Sequence, residues 1–325
     1  MIAGAESPTG QELLELLTQQ GVAFSLLPAS LLQSADNSVL AQFIKGNRPD
    51  QLVNLHTFAP DSQQALVAAE SARQECALVQ RDHAALLAGV CERQDIPMLH
   101  LSTCYVFDGE KRLGYNEQDD TSPAGVYGTT ALQGERAVQK LAKHVIIRVG
   151  WSFGRRQCDI IESWIRQCKK QSGKLEVLQR RFSPTPVEDV ARVILAVCRQ
   201  VDCAASVWGV YHYCGLETKT EIEFVQQVLK YASQHDEKIY QFLDNFTMSE
   251  VNPELPEIAN STLSSKKIFD TFGIKQRSWH RSLRTAIKTI YQEKGLVEPE
   301  GTENTRPGED SPVKLPNTMG SKSLH

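Results

Sequence analysis

Residues 97–109 read PMLHLSTCYVFDG and contain the strand from which the fold can be worked out. Its first part, residues 97–103, is a short apolar run that ends in the hydroxyl side chains of Ser102 and Thr103. Such a run is typical of a strand that is buried on both faces of a parallel sheet. The two hydroxyls should then lie at the carboxyl end of the strand, where sheets of this kind bind ligands.

Similar runs on either side complete the pattern. Further strands are predicted at MIAGA (1–5), AFSLLP (23–28), QLVNLH (51–56) and HVIIRVGW (144–151). Apolar residues at intervals of three and four predict helices over 10–20, 38–46 and 81–94. The alternation of strands and helices indicates an α/β protein with a Rossmann-like, doubly wound parallel sheet, which we place at residues 1–155.

The remaining sequence is less regular. Residues 156–292 are expected to form a smaller α/β cap domain, and a return of the chain to the first domain near 180–215 is left open. From Glu293 to His325 the chain is rich in Pro, Gly, Ser and charged residues. Apolar side chains are too few there to offset the entropy of ordering, so we predict a disordered tail over 293–325.

The composition excludes several classes of function. The chain has 325 residues, 41% of them hydrophobic, and a net charge of -4, which argues against nucleic-acid binding because that needs a basic face. It has no run of eighteen apolar residues and no signal-peptide pattern, so we expect a cytoplasmic protein that binds no membrane. The eight cysteines include no C-x-x-C pair, which favours reduced thiols and no metal site.

Several motifs occur in an order that resembles the dTDP-4-dehydrorhamnose reductase family, a branch of the extended short-chain dehydrogenases/reductases. They are NRPDQLVNL (47–55), LHLSTCYVFDG (99–109), VYGTTALQGER (126–136), VIIRVGWSFG (145–154), RRFSPTPVEDVA (180–191), GVYHYCG (209–215) and IANSTL (258–263). The resemblance covers about residues 1 to 290. It implies a nicotinamide-binding sheet, a nucleotide-sugar cap, and NADPH or NADH as the hydride donor to the 4-keto group of a dTDP-linked deoxysugar, which yields dTDP-L-rhamnose.

The resemblance also implies the catalytic residues. Tyr127 corresponds to the family's proton donor, and Thr103 or Ser102 to the hydroxyl that binds the substrate carbonyl. The family's lysine, four residues after the tyrosine, lowers the pKa of the phenol and holds the cofactor ribose, but here the position is Ala131. The next cations, Arg136 and Lys140, lie roughly 13 and 20 Å further along a helix, which is out of reach.

The cofactor pocket departs from the family's G-x-x-G-x-x-G loop, whose glycines let the backbone approach the pyrophosphate. We align the loop with SPTGQEL, which keeps Gly10 and puts Ser7 and Leu13 at the outer positions. The alternative frame, which starts at Gly4, leaves only three residues for the first strand and is less favoured. Pro28 stands where a ribose ligand is expected, so binding of NADPH or NADH should be weak or lost.

The implied cofactor contacts are Ser7, Gly10, Gln11, Asp36 and Asn54, and the implied substrate contacts are Arg148, Trp151, Phe182 and Thr185. Packing in the core is the alternative role for Trp151 and Phe182. Glu257 stands where the family usually has a cation facing a phosphate, and this change disfavours a diphosphate, because like charges repel strongly in a partly dry cleft. Arg180 and Arg181 are near enough in the predicted fold to compensate.

Three functions remain open. The favoured one is a reductase-like pseudoenzyme that serves as a binding or regulatory module. The missing lysine lowers the rate of hydride transfer and the altered glycines lower the affinity for the cofactor, so the two losses add. The second is an active NAD(P)H-dependent reductase of a dTDP-4-keto-6-deoxysugar. The third is a structural subunit of a metabolic complex. The expected partners are a nucleotide sugar or other small molecule, and a protein partner or a second copy in a homodimer.

Overall fold

The computed structural model describes residues 1–33, 37–58, 63–170, 174–201, 207–251 and 257–293. The strands are β1 (Ile2–Ala3), β2 (Leu52–Asn54), β3 (Met98–Thr103), β4 (His144–Val149), β5 (Ser152–Phe153), β6 (Leu175–Leu178), β7 (Arg181–Phe182), β8 (Thr185–Pro186), β9 (Gly209–Tyr213), β10 (Lys219–Thr220) and β11 (Phe246–Ser249). The helices are α1 (Pro8–Gln19), α2 (Ala29–Leu32), α3 (Asn37–Asn47), α4 (Gln63–Ser71), α5 (Arg73–Ala77), α6 (His83–Gln94), α7 (Val126–Val138), α8 (Asp159–Lys170), α9 (Val187–Val201), α10 (Glu221–Ala232), α11 (Lys266–Phe272) and α12 (His280–Glu293). A π-helical turn, Leu78–Asp82, precedes α6, and 3-10 turns lie at Cys104–Val106 and Glu237–Phe242.

Within this described part, one parallel sheet has the order β1-β2-β3-β4-β9. All six residues of β3 are buried, as expected for a central strand whose two faces are both covered by helices. The α/β class and the parallel central sheet predicted from the sequence are therefore confirmed. In β3 and β4, Ser102 is paired with Arg148 and Thr103 with Val149, so both predicted hydroxyls lie at the carboxyl edge.

The prediction of a strand over 23–28 is only partly correct. Leu26 forms a single parallel bridge with Ile2, supported by hydrogen bonds from Ile2 N to Ser25 O (2.9 Å) and from Leu27 N to Ile2 O (2.8 Å). The neighbouring strand β1 has just two residues, so it offers little backbone for a longer ladder. Phe24 and Leu26 are also largely exposed, and a strand without packing on its outer face is weakly stabilised.

Beyond β4 the chain builds a second core and then returns to the sheet. The second core contains the aromatic residues Trp151, Trp164, Phe224 and Trp279, and it is bordered by the strand pairs β5–β8, β6–β11 and β7–β10. Strand β9 pairs with β4, and α9 packs on α1. The division into domains at residues 155 and 292 stays a prediction, and the tail predicted over 293–325 lies, after Glu293, outside the described residues.

No helix in the described ranges combines the length and the apolar composition that a membrane span requires. The same ranges contain no cluster of three or more His, Cys, Asp or Glu side chains that could hold a metal ion. The cysteines described there form no disulfide with one another, and all but Cys198 are buried.

Candidate functional site

A cavity lies at the carboxyl ends of the central strands, where the sequence predicted the site. Its lining residues are Ser7, Pro8, Thr9, Leu55, His56, Thr57, Gln80, His100, Leu101, Ser102, Thr103, Tyr127, Ala131, Val149, Ser152, Gln157 and Val190. The volume is about 40 Å³, which leaves room for only a few water molecules. Among these lining residues there is no Lys, Arg, Asp or Glu.

Two glycines of the sequence motifs bring α7 to the edge of this cavity. A Cβ atom on Gly128 would lie 2.0 Å from Tyr105 O, and one on Gly134 would lie 2.2 Å from Gln80 O. Both positions therefore need glycine, because the helix touches backbone there. This close packing explains the Tyr-Gly and Gly-Glu pairs, and it fixes Tyr127 and Ala131 against the cavity.

The predicted catalytic residues meet around this one space. Tyr127 is buried, and its ring contacts that of Tyr105 edge to face at 6.0 Å. Thr103 lines the same cavity, and its Oγ1 accepts a hydrogen bond from Tyr105 N at 3.3 Å. Ala131 brings a methyl group where the family has an ammonium group. Neither Arg136 nor Lys140 is among the lining residues, as their distance along the helix predicted.

Ser102 belongs to a buried charge network. Its Oγ donates to Glu135 Oε1 at 2.5 Å, and Glu135 also receives hydrogen bonds from Arg148 Nε at 2.9 Å and Nη2 at 2.7 Å. The opposite edge of the guanidinium, Nη1, lies 3.4 Å from Nε2 of His212. Burial, and then the charge of Arg148, lower the pKa of His212 to about 3. The hydroxyl hydrogen of Ser102 is thus directed to Glu135. A role for Thr103 or Ser102 in binding a substrate carbonyl stays a prediction.

The turn between β1 and α1, which the resemblance aligns with the family's phosphate-binding loop, has contacts that favour the alternative frame starting at Gly4. Gly4 has a φ of 75°, and a Cβ atom there would lie 2.4 Å from His56 N. Gly10 lies against Gly4, where a Cβ atom would approach Gly4 O to 2.4 Å. Strand β1 has only two residues, so the shortness of the first strand is no argument against this frame of Gly4, Ser7 and Gly10, which stays a prediction. Leu13 packs in the core below the sheet.

In this frame Ser7 stands at the position of the family's middle glycine, and its side chain caps the amino terminus of α1. Its Oγ accepts a hydrogen bond from Gly10 N at 3.1 Å and donates one to Gly4 O at 2.7 Å. Pro8, the first residue of the helix, has no amide hydrogen. Dinucleotide folds bind pyrophosphate with the amides of this turn. Here one of those amides is absent and another has an internal partner.

The other predicted cofactor residues also have partners within the chain. Gln11 donates to Glu6 O at 2.9 Å and accepts from Arg156 Nε at 2.7 Å. Asn54 Nδ2 lies 3.0 Å from Nδ1 of His100, a residue whose pKa burial lowers to about 4. Asp36 lies outside the described residues. The assignment of these positions to a cofactor stays a prediction.

The predicted substrate residues lie away from the cavity. Trp151 and Phe182 are buried with their ring centroids 4.8 Å apart, which is the packing role considered as the alternative. Thr185 Oγ1 donates to Ser183 O at 2.8 Å and is fully buried. Arg148 is held by Glu135, as described above. A role for these four residues in substrate binding stays a prediction.

Glu257, at the position expected for a phosphate-binding cation, is buried beside other charges. Arg180 is buried and forms an ion pair with Glu221, and its charge also interacts with Glu257. Arg181, by contrast, is exposed. The positive charge of Arg180 is thus shared between two carboxylates of the chain, and its compensation for Glu257 in phosphate binding stays a prediction.

Sequence reasoning missed the polar residues that close the cavity from other elements. Gln80 donates from Nε2 to Tyr127 O and to Thr130 Oγ1, each at 3.0 Å. It lies in the π-helical turn, 47 residues before Tyr127, and belongs to no motif. His56, His100, Ser152 and Gln157 also line the cavity, and the sequence did not indicate this because their approach depends on tertiary packing.

Comparison with known proteins supports the family resemblance of the sequence motifs. A family profile described as the RmlD substrate binding domain matches residues 1–292. A dTDP-4-dehydrorhamnose reductase from Sinorhizobium fredii (strain NBRC 101917 / NGR234) is 29% identical over 264 residues, which span 80% of this chain and 86% of that relative.

Two solved structures show the same fold. The dTDP-4-dehydrorhamnose reductase of Bacillus anthracis in complex with NADP has a TM-score of 0.70 at 22% identity, covering 87% of this chain and 95% of that chain. The Bordetella bronchiseptica enzyme WbmG in complex with NAD and UDP has a TM-score of 0.74 at 14% identity, covering 90% and 94%.

Proposed function

This chain belongs to the family of the RmlD substrate binding domain, and we propose that it is a dTDP-4-dehydrorhamnose reductase-like protein in which hydride transfer is reduced or lost. The fold then serves as a binding or regulatory module. The observation that carries the proposal is Ala131, which lies against a cavity whose described lining has no cation. This lining therefore lacks the ammonium group by which the family lowers the pKa of the phenol.

The turn at the start of α1 supports the same proposal. An NADP or NAD molecule, which the two solved structures contain, carries a pyrophosphate that needs free backbone amides. Ser7 takes up the amide of Gly10, and Pro8 has none. A dinucleotide would have to displace the Ser7 cap and also enlarge a cavity of about 40 Å³, far below the roughly 300 Å³ of ordinary ligand sites.

Charge on the cap side adds a further argument. A nucleotide sugar brings two phosphate charges, and Glu257 adds a carboxylate where a cation would be favourable. Arg180 already forms an ion pair with Glu221, and its charge also interacts with Glu257. We therefore infer that any small-molecule ligand of this fold carries less negative charge than a dTDP-sugar.

The proposal is tested by calorimetric titration of the purified protein with NADPH and then NADH. The Bacillus anthracis reductase, whose structure contains NADP, is the positive control. We expect no heat of binding at cofactor concentrations that saturate the control, while a melting curve shows that the protein is folded. Micromolar binding of either cofactor would contradict the loss of the cofactor site.

The second candidate, an active reductase, is favoured by one observation: Thr103 and Tyr127 still line the same cavity. A steady-state assay with NADPH and dTDP-4-dehydrorhamnose separates the two. Loss of a positioned acid alone lowers turnover by about 100- to 10,000-fold. Turnover equal to that of the control enzyme would establish the second candidate instead.

A further inference from the structure

The turn after β5 carries two arginines at its tip. Gly154 N donates to Gln157 O at 2.9 Å and Gln157 N donates back to Gly154 O at 3.0 Å, so the segment 154–157 forms a closed turn. Arg155 and Arg156 are the two residues between these hydrogen bonds, and both side chains extend to α1 on the opposite side of the cavity.

The two arginines form four ion pairs with α1. Arg155 Nε lies 2.8 Å from Glu12 Oε1, and Arg156 Nη1 lies 2.7 Å from the same oxygen. Both guanidinium groups also pair with Glu15, one helical turn further on. Burial raises the pKa of Glu15, but the hydrogen bonds from Arg156 and Arg155 outweigh it and keep that pKa below its ordinary value. We call this set of four charged residues the latch.

The base of the turn lines one side of the cavity. Ser152 and Gln157, which flank the two arginines, both line it, and Gln157 Nε2 lies 3.3 Å from Ser152 O. On the other side, Ser7, Pro8 and Thr9 at the start of α1 line it as well. The latch therefore joins two walls of the same cavity. Its residues Glu12 and Arg155 are 143 positions apart in the sequence.

We propose that the segment 154–157 is a lid, that the latch holds it closed over the cavity, and that release of the latch controls access to Tyr127 and Ala131. The four paired groups are partly exposed except Glu12, which is 8% exposed and binds both arginines. Ion pairs of this kind are weakened by salt, because the Debye length falls from about 10 Å at 0.1 M to about 3 Å at 1 M. The proposal does not depend on whether the cavity takes a dinucleotide.

A cysteine reporter in the cavity tests the lid. In an Ala131→Cys background, the rate of labelling by a small neutral thiol reagent is followed by peptide mass spectrometry, with the native Cys198, which is only partly buried, as internal standard. The latch is removed by Glu12→Gln with Glu15→Gln. The matched control is Glu162→Gln, which breaks the Arg166 pair on α8 and leaves the latch intact.

We expect labelling at position 131 to rise about tenfold or more in the latch variant, equivalent to about 1.4 kcal/mol, and to stay unchanged in the control. The Ala131→Cys protein with an intact latch should show the same rise between low salt and 1 M salt. Exchanging the charges, with Glu12→Lys, Glu15→Lys, Arg155→Glu and Arg156→Glu, should restore protection. Equal rates with and without the latch in folded proteins, or rapid labelling before any change, would overturn the proposal.

Discussion

The hydroxyl oxygen of Ser7 lies 3.1 Å from the backbone nitrogen of Gly10 and accepts its hydrogen, so the residue that replaces a glycine also caps the helix. The same exchange adds a stabilising contact and gives the amide of Gly10 a partner within the chain. A capping serine contributes about 0.5–2 kcal/mol relative to alanine, whereas replacement by glycine costs only a few tenths.

The first prediction concerns this cap. Ser7→Ala should lower the free energy of unfolding by about 1 kcal/mol and Ser7→Gly by less, as measured by denaturant titration. Although Ser7→Gly frees the Gly10 amide, it should not restore micromolar NADPH binding in calorimetry, because Pro8 and Ala131 remain. Strong binding by this single variant would show that Ser7 alone excludes the cofactor.

The second prediction concerns the missing lysine. Ala131→Lys should leave NADPH-dependent turnover of dTDP-4-dehydrorhamnose about a thousandfold or more below that of an active relative, since a restored acid catalyst cannot act without a bound cofactor. Combining it with Ser7→Gly should have a larger effect than either change alone. Recovery of normal turnover by Ala131→Lys alone would mean that the altered cofactor turn is tolerated.

The sequence predicted features that depend on residues close together in the chain. It did not predict contacts between residues that are far apart in the sequence. Ser102 and Thr103 at the end of an apolar run, and the Tyr127 helix, could be placed because strand ends gather at one edge of a parallel sheet. The frame that starts at Gly4 was disfavoured because it leaves three residues for the first strand, whereas the strand in the structure has only two.

Arg148 shows why individual roles are harder to predict than positions. Its place at the end of β4 was correctly anticipated, but its partner Glu135 comes from the neighbouring helix and is visible only once α7 packs on β3 and β4. The Gly-Glu pair was noticed as a motif. Its function in holding Arg148 and Ser102 follows from tertiary structure alone.

The third prediction tests this buried pair. Glu135→Gln leaves the Arg148 charge without a compensating carboxylate, and breaking a buried pair in this way typically costs about 3–5 kcal/mol. Denaturant unfolding should show a loss of that order. Glu162→Gln, which breaks the more exposed pair with Arg166, should cost no more than about 1 kcal/mol. Similar losses in both variants would contradict the network.

The fourth prediction concerns the contact that places Tyr127. Gly128→Ala would force a Cβ atom to within 2.0 Å of Tyr105 O, so α7 must shift, and overpacking of this kind typically costs about 1–3 kcal/mol or more. The matched control is Gly46→Ala in α3, where nothing lies within 4 Å of the added atom. That variant should be neutral or stabilised by up to about 1 kcal/mol. A thermal melt distinguishes them, and an unchanged Gly128→Ala protein would refute this packing.

The last prediction follows from two buried histidines. Burial lowers the pKa of His100 to about 4, and burial together with the charge of Arg148 lowers that of His212 to about 3. In the unfolded chain both titrate near 6.5. As the pH falls below that value, the unfolded state takes up protons that the folded state does not. Stability is therefore fully present above about pH 6.5 and is lost as the pH falls toward the folded-state values.

Each of these histidines should lower the free energy of unfolding by up to about 1.4 kcal/mol per pH unit within this window. Denaturant titrations between pH 7.5 and pH 4.5 measure the slope. His212→Gln should reduce this slope by the contribution of one proton, because glutamine does not titrate. Glutamine can still donate a hydrogen bond toward Tyr115 O, so the local contact is kept. If the slope is flat in the native protein, or unchanged by the substitution, His212 is not held neutral beside Arg148, and the network around Glu135 needs a different charge assignment.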